Sequence, residues 1–330
     1  MSLAKPKSPI FWPLAGLIAL VLLNAVFNPG FLKITVLNGH LYGVPMDILS
    51  QGSRTLLVSL GMTLVIATGG VDLSVGSIVA ITGGVCAVML QDGHSFALTI
   101  AAALGAGLLA GTANGALVAR FGVQPIVATL ILMVAGRGLA QLIVGGQVIV
   151  IKSATFEYLA NGFFLGVPVA PLLVAALYLL THFVLRRTAL GLFIEAVGDN
   201  ETAARFAGLA ATRIKTCAYI FCGACAGLTG VLAAANIMAA DAYRAGENME
   251  LDAIFAVVVG GTALSGGRFV ILGTAIGALL IQTLTTTMYN LGVPPAIAPV
   301  PKALLIIGVT LLQSDKVSRW LGGLWRRKAA

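Results

Sequence analysis

The chain is a succession of apolar runs close to the ~20 residues that carry a helix across the hydrocarbon core of a bilayer. Ten such runs can be read, at 10–27, 54–69, 73–90, 95–118, 125–145, 168–185, 216–236, 251–264, 268–289 and 296–313. In lipid no water is present to bond a free N–H or C=O, so each run must close its hydrogen bonds within itself, as a helix does. The spacing therefore predicts an all-α polytopic membrane protein with about ten transmembrane helices. Composition agrees. Of the 330 residues, 58% are hydrophobic and only 10% charged, too few charges to cover a soluble fold of this length. The second and eighth runs are read as short and end at the glycine pairs Gly69-Gly70 and Gly260-Gly261, which suggests discontinuous segments.

The basic residues set an orientation. Lys5 and Lys7 ahead of the first run resemble a signal peptide, but no small-x-small cleavage site follows, so the run is read as a retained helix. With the N-terminus in the cytoplasm, fourteen of the 20 Lys and Arg residues fall on the cytoplasmic side. Lys33, Arg54, Lys152 and Arg244 fall outside, and Arg137 and Lys302 lie within spans. This bias fits both termini inside, with 314–330 as a basic cytoplasmic tail. The net charge of +8 thus follows membrane orientation, and no basic patch interleaved with aromatics points to nucleic acid. Lys302, near the end of its run, is expected to reach for an interface.

Glycine is abundant, with 40 residues. Gly107, Gly111 and Gly115 share one helix face, as do Gly273 and Gly277, and such small residues let helix backbones approach closely in lipid. Cys222 and Cys225 sit in an apolar run with no His or acid nearby on that helix, so they read as small packing residues. One internal echo stands out: "GGVDLSVG" (69–76) returns as "GGTALSGG" (260–267), pointing the same way. Paired broken segments of this kind line cavities in transporters. The second copy has Ala263 where the first has Asp72, so the break itself does not need the acid. Asp72 can cap the following helix through N–H groups near residues 74 and 75, or face a translocation path or polar partner.

The longest cytoplasmic loop expected is 186–215. Within it Asn200 suits an N-cap, Glu201 the positive start of a helix, Arg205 its end, and Gly208 the residue just past it. The result is a helix of about two turns carrying Phe206, too short to be stable alone. It must pack on something, either a partner protein or lipid headgroups.

Three stretches, "GMTLVIATGGVDLSVGS" (61–77), "EAVGDNETAARFAGL" (195–209) and "LDAIFAVVVGGTALSGG" (251–267), occur in the order and spacing of a known family. The chain resembles the membrane permease subunits of bacterial carbohydrate-uptake ABC transporters, the ribose/xylose/galactose group. Within that group "LYGVPMDIL" (41–49) is most similar to the galactofuranose-type permeases. The resemblance implies one permease domain over 1–330 in the cytoplasmic (inner) membrane, moving a monosaccharide. It implies a second permease subunit as homo- or heterodimer, a cytoplasmic ATP-binding subunit that uses ATP and Mg, and a periplasmic sugar-binding protein. By the same resemblance 186–215 is the coupling loop, with Asn200, Glu201, Arg205 and Phe206 against the ATPase. The chain carries no Gly-x-x-x-x-Gly-Lys-Ser/Thr loop, so no cofactor and no catalytic or metal site of its own is expected. Its outer loops, of about 20–26 residues, are also too small to hold a sugar-binding domain.

Two other functions are weighed. An ion-coupled secondary sugar transporter would use embedded acids, and Asp72 is the one clear candidate. An intramembrane enzyme would need ligands or a nucleophile and base at helical spacing, whereas His40, His94 and His182 stand apart from each other and from carboxylates. Candidate pathway residues are Asp72, Ser74, Asn114, Arg137, Gln141 and Gln282, with structural hydrogen bonding as the competing role for each. Arg137 and Gln141 share a helix face, and an Asp72–Arg137 ion pair would offset the cost of burying both.

Overall fold

The computed structural model describes residues 10–294 and 297–313. Lys5, Lys7 and the basic tail 314–330 lie outside the described residues. The first third of the chain holds α1 (Phe11–Phe27), a hairpin of β1 (Thr35–Leu37) and β2 (His40–Tyr42), α2 (Val44–Ala67) and α3 (Val75–Gln91). Then come α4 (Phe96–Gly115), which continues as a π-helical turn over Ala116–Arg120, α5 (Pro125–Ile143), β3 (Ile149–Val150) and α6 (Ala154–Asn161). A second hairpin of β4 (Phe163–Phe164) and β5 (Val167–Pro168) leads into α7 (Val169–Arg187), α8 (Leu190–Asp199) and α9 (Glu201–Phe206). The chain continues through α10 (Ala211–Ile237), β6 (Ala239–Ala240), α11 (Met249–Val259), α12 (Ile271–Asn290) and α13 (Pro299–Gln313).

Each of the ten apolar runs is therefore helical, and α6, α8 and α9 are short helices between them. Among the described residues five stretches are long and apolar enough to cross a bilayer: Phe96–Arg120, α5, α7, α10 and α12. The chain is a helical, multi-pass membrane protein. One boundary differs from expectation. Hydropathy places the start of the second run at 54, whereas α2 begins at Val44 and has 24 residues. Asp47, Gln51 and Arg54 lower the hydropathy of its first half, yet Pro45 in the first turn and Asp47 at the positive end both favour helix there.

The bundle is assembled around α10. In its apolar stretch 67% of residues are buried, against 22% in those of α4 and α5, whose outer faces are open. Helix α4 lies backbone to backbone against α10. A Cβ on Gly107 would sit 2.6 Å from the carbonyl oxygen of Gly223, and one on Gly111 2.4 Å from that of Tyr219. The same holds between α12 and α11, where a Cβ on Gly277 would sit 2.2 Å from the carbonyl oxygen of Ala256. With no hydrophobic drive between helices in lipid, this close approach supplies the dispersion contacts that hold them together. Cys222 and Cys225 are buried in this packing, facing Gly61 of α2.

The small strands gather at one end. Both hairpins turn on two residues in the left-handed region, Asn38-Gly39 and Leu165-Gly166, the turn that suits the twist of paired strands. They join where the Leu41 N–H donates to the Gly166 carbonyl at 2.9 Å and the His40 ring lies 4.4 Å from that of Phe163. Strands β3 and β6 pair antiparallel. Lys302 of α13 pairs with an acid of α11. Its Nζ lies 2.7 Å from Asp252 Oδ2 and 3.0 Å from Oδ1. An ammonium withdrawn from water is better served by a carboxylate within reach than by stretching past it.

The α4–α10 contact yields a paired prediction. Gly111→Ala puts a methyl into the α10 backbone and is expected to cost about 1–3 kcal/mol. Gly105→Ala, on the same helix with nothing within 4 Å of the new Cβ, is expected to be neutral or slightly stabilising. Thermal unfolding of the two variants in detergent checks this, and equal midpoints would contradict the packing.

Candidate functional site

The site begins with two helix endings that use the same device. Helix α2 stops at Ala67 with Thr68 as its cap, and Gly69 follows at φ +79°. Helix α11 stops at Val259 with Gly260 as its cap, and Gly261 follows at φ +90°. In each, the left-handed glycine bonds to the second-last residue of the helix and the next residue bonds one further in. The pairs are Gly69 N to Ile66 O (2.9 Å) with Gly70 N to Val65 O (3.0 Å), and Gly261 N to Val258 O (2.9 Å) with Thr262 N to Val257 O (3.2 Å). This is the Schellman motif, which satisfies the last carbonyls of a helix without water. The sequence echo aligns Gly69 with Gly260, but the equivalent left-handed residues are Gly69 and Gly261. The offset arises because α2 has a threonine at the cap position that Gly260 fills in α11.

The two endings touch, and the end of α8 is wedged against both. The Gly267 N–H donates to the Ala67 carbonyl at 3.0 Å, joining the loop after α11 to the last turn of α2. A Cβ on Gly198 would lie 1.8 Å from the Ala67 oxygen and 2.6 Å from the Gly267 nitrogen. A Cβ on Gly266 would lie 2.8 Å from the Gly198 oxygen and 2.9 Å from the Gly69 nitrogen. Three chain segments thus meet with no side chain between them.

Three of the candidate pathway residues come together beside this junction. Asp72, Ser74 and Asn114 are each fully buried. Asp72 Oδ1 accepts from the Ser74 N–H at 2.9 Å, the Ser74 hydroxyl at 2.6 Å and Asn114 Nδ2 at 3.3 Å, and Asn114 Nδ2 also donates to Ser74 Oγ at 2.8 Å. Asp72 therefore holds Ser74, the residue just ahead of α3, and ties it to α4; it bonds the Ser74 N–H but not that of Val75, and Ser74 itself is the N-cap of α3. Two acceptors in the cluster, Asp72 Oδ2 and Asn114 Oδ1, have no hydrogen-bond partner. The Tyr219 hydroxyl donates to the Val71 carbonyl at 3.3 Å and covers Gly70 from the α10 side.

The other three candidates lie elsewhere. Arg137 does not pair with Asp72. Its Nη1 donates to the carbonyls of Ala242 (3.2 Å) and Ala245 (2.5 Å), in the irregular stretch between α10 and α11. Helix α11 has 11 residues, about 16 Å, shorter than the apolar core of a bilayer. Gly246 packs on Gly76 in the first turn of α3, with Glu250 beside it. Irregular backbone shut away from water needs donors from the protein, and the guanidinium supplies them. That use explains why the ion pair does not form. Gln141 is half-buried one turn beyond Arg137, and Gln282 packs on Gly52 of α2 with Nε2 3.4 Å from Thr286 Oγ1.

On the far side of the junction lies the short helix α9. The Asn200 side chain accepts from the Ala203 N–H at 2.9 Å, and Gly208 follows the helix at φ +85°. Glu201 pairs with Arg205 at 2.5 Å and with Lys215 of α10. The hydrogen bond from Lys215, with Arg205 adding to it, holds the Glu201 carboxyl below the usual carboxylate range. A depressed folded value means this contribution is present at neutral pH and is lost as pH falls through that value. Ala204 packs on Val197 of α8 and Ala211 of α10, so α9 is anchored by its buried side. Its other side presents Phe206, which is 89% exposed.

Several residues of the site carry no clear mark in the sequence. Gly198 lies inside the 195–209 motif, but nothing there shows that it touches two distant loops. Glu250 and Asp252, two acids opening a short apolar run, were the available signal for the Asp252–Lys302 pair.

The arrangement is that of a polytopic membrane protein in which a short capped helix is joined to two helices that end at glycine turns. Residues 44–312 match the family described as branched-chain amino acid transport system / permease component, and the chain belongs to it. It is 44% identical over 328 residues to the galactofuranose transporter permease protein YtfT of Escherichia coli K12, covering 98% of this chain and 96% of that one. It is 36% identical over 329 residues to the fructose import permease protein FruF of Bifidobacterium longum, covering 98% and 92%. The ribose import permease protein RbsC of Escherichia coli K12 is 36% identical over 307 residues, covering 92% and 93%. No solved structure matches the chain. The family supports the permease reading over the ion-coupled secondary transporter.

The Asp72 cluster makes its own prediction. Asp72→Asn keeps the Oδ1 acceptor and replaces the partnerless Oδ2 with a donor, so stability is expected to hold. Asp72→Ala loses the bonds to Ser74 and is expected to cost about 0.5–2 kcal/mol. Unfolding in detergent reads the stability, and uptake is measured alongside. Loss of uptake in an abundant, stable Asp72→Asn protein would show that the charge itself is required.

Proposed function

We propose that the chain is the membrane permease subunit of an ATP-driven importer that carries a monosaccharide, galactofuranose in particular, across the cytoplasmic membrane. The sugar class rests on the relatives, which are named as galactofuranose, fructose and ribose permeases. On this reading ten helices span the membrane with both termini inside. The Gly69-Gly70 and Gly260-Gly261 segments are discontinuous spans, and 186–215 is the coupling loop of a single permease domain. A second permease subunit completes the pathway. A cytoplasmic subunit binds ATP and Mg, and a periplasmic protein delivers the sugar. Asp72, Ser74 and Asn114, with Arg137, Gln141 and Gln282 further along, provide the polar groups of the pathway or its walls.

The observation that carries the reading is Phe206. A phenyl ring 89% exposed on a capped helix of 6 residues is an anchor for a partner groove. The helix is also fixed, through α8 and Gly198, to the two broken spans, so a displacement of α9 is passed to the membrane. A helix that merely rested on lipid headgroups would need no such rigid attachment.

Phe206→Asp is expected to leave the membrane helices intact, because its side chain touches none of them. It is expected to lower co-purification of the ATP-binding subunit by about tenfold or more, as for loss of an interface anchor. Uptake should fall in parallel. Co-purification at the wild-type ratio with normal uptake would sink the coupling role.

A further inference from the structure

At the end of the molecule that carries α8 and α9, a cavity of about 280 Å³ opens between α7, α8 and the start of α12. Its walls are of two kinds. Leu192 and Phe269 make an apolar side, and His182, Arg186 and Thr188 make a polar one, with Glu195 as the acid in the lining. Arg187 and Arg268 are next in sequence to the lining residues Arg186 and Phe269. Arg186 and Arg268 are exposed and form no ion pair or hydrogen bond to a described residue, so their donors are free.

We propose that this cavity binds an anionic phospholipid. The phosphate sits against Arg186 and Arg268, Thr188 donates its hydroxyl, and the upper acyl chain lies along Leu192 and Phe269. The position supports this occupant. The last turn of α7, where two arginines follow an apolar stretch, is where a span meets the headgroup layer. Basic pockets between helices at that level suit lipid phosphates, and the guanidinium fork matches phosphate oxygens bidentately. A free anion would use the polar wall but leave the apolar one facing water. Glu195 opposes an anion and so limits its affinity.

The test uses the purified full-length chain in nanodiscs of phosphatidylcholine alone or mixed with phosphatidylglycerol, with retained lipid counted by native mass spectrometry. The wild-type protein is expected to keep phosphatidylglycerol in preference to phosphatidylcholine. Arg186→Gln and Arg268→Gln should each weaken retention roughly fivefold. Glu195→Gln should strengthen it, and Leu192→Trp, which narrows the apolar side and keeps every charge, should weaken lipid retention. Three results overturn the proposal. These are undiminished phosphatidylglycerol on the double arginine variant, equal retention of the two lipids, or displacement of phosphatidylglycerol by inorganic phosphate alone.

Discussion

A backbone amide shut away from water must find its partner within the protein, and the junction at Ala67 and Gly267 shows how two helix ends do so. The helix ends at α2 and α11 would leave their last carbonyls bare. Each end closes most of its own through a Schellman turn, and the Ala67 carbonyl is met by the Gly267 N–H of the other loop. That hydrogen bond requires the two loops to lie in contact; a Cβ at Gly266 would crowd the Gly69 nitrogen, and Gly69 itself holds a left-handed φ of +79°. The end of α8 then finds room only because residue 198 is also glycine. The position of α9, the seat of Asp72 and the start of α3 all depend on this one meeting of backbones.

Charge in the bundle obeys the same rule. Asp72 bonds Ser74, just ahead of α3, and reaches α4 through Asn114. Arg137 holds two carbonyls of the irregular stretch before α11, and Lys302 meets Asp252. Each of these ionisable groups holds irregular backbone or an opposite charge. These polar groups are therefore parts of the scaffold.

Much of this was legible in the sequence, because hydropathy reports directly on helices in lipid. The positions of the ten helices and the close contacts of Gly107, Gly111 and Gly277 can be read from runs and spacing alone. So can the cap at Asn200, since its signal is local: a capping residue, an acid, a base and a glycine within nine positions. Partnership over distance was not legible. Asp72 and Arg137 match by charge, but charge does not say which of many buried carbonyls a guanidinium will meet. The start of α2 is obscured because its polar residues hide a helix from hydropathy. Gly198 is one glycine among 40, distinguished only by what it touches.

The glycine junction joins α9, through α8, to the ends of α2 and α11, and the proposed coupling of an ATPase to the membrane rests on that rigidity. Gly198→Ala tests it most directly, because the methyl enters the junction while Phe206 and the cap of α9 are untouched. Uptake is measured together with co-purification of the ATP-binding subunit. The partner is expected to be retained near the wild-type ratio while uptake falls by about tenfold or more, as when a methyl is forced into packed backbone. Wild-type uptake by the Gly198→Ala protein would contradict a rigid junction.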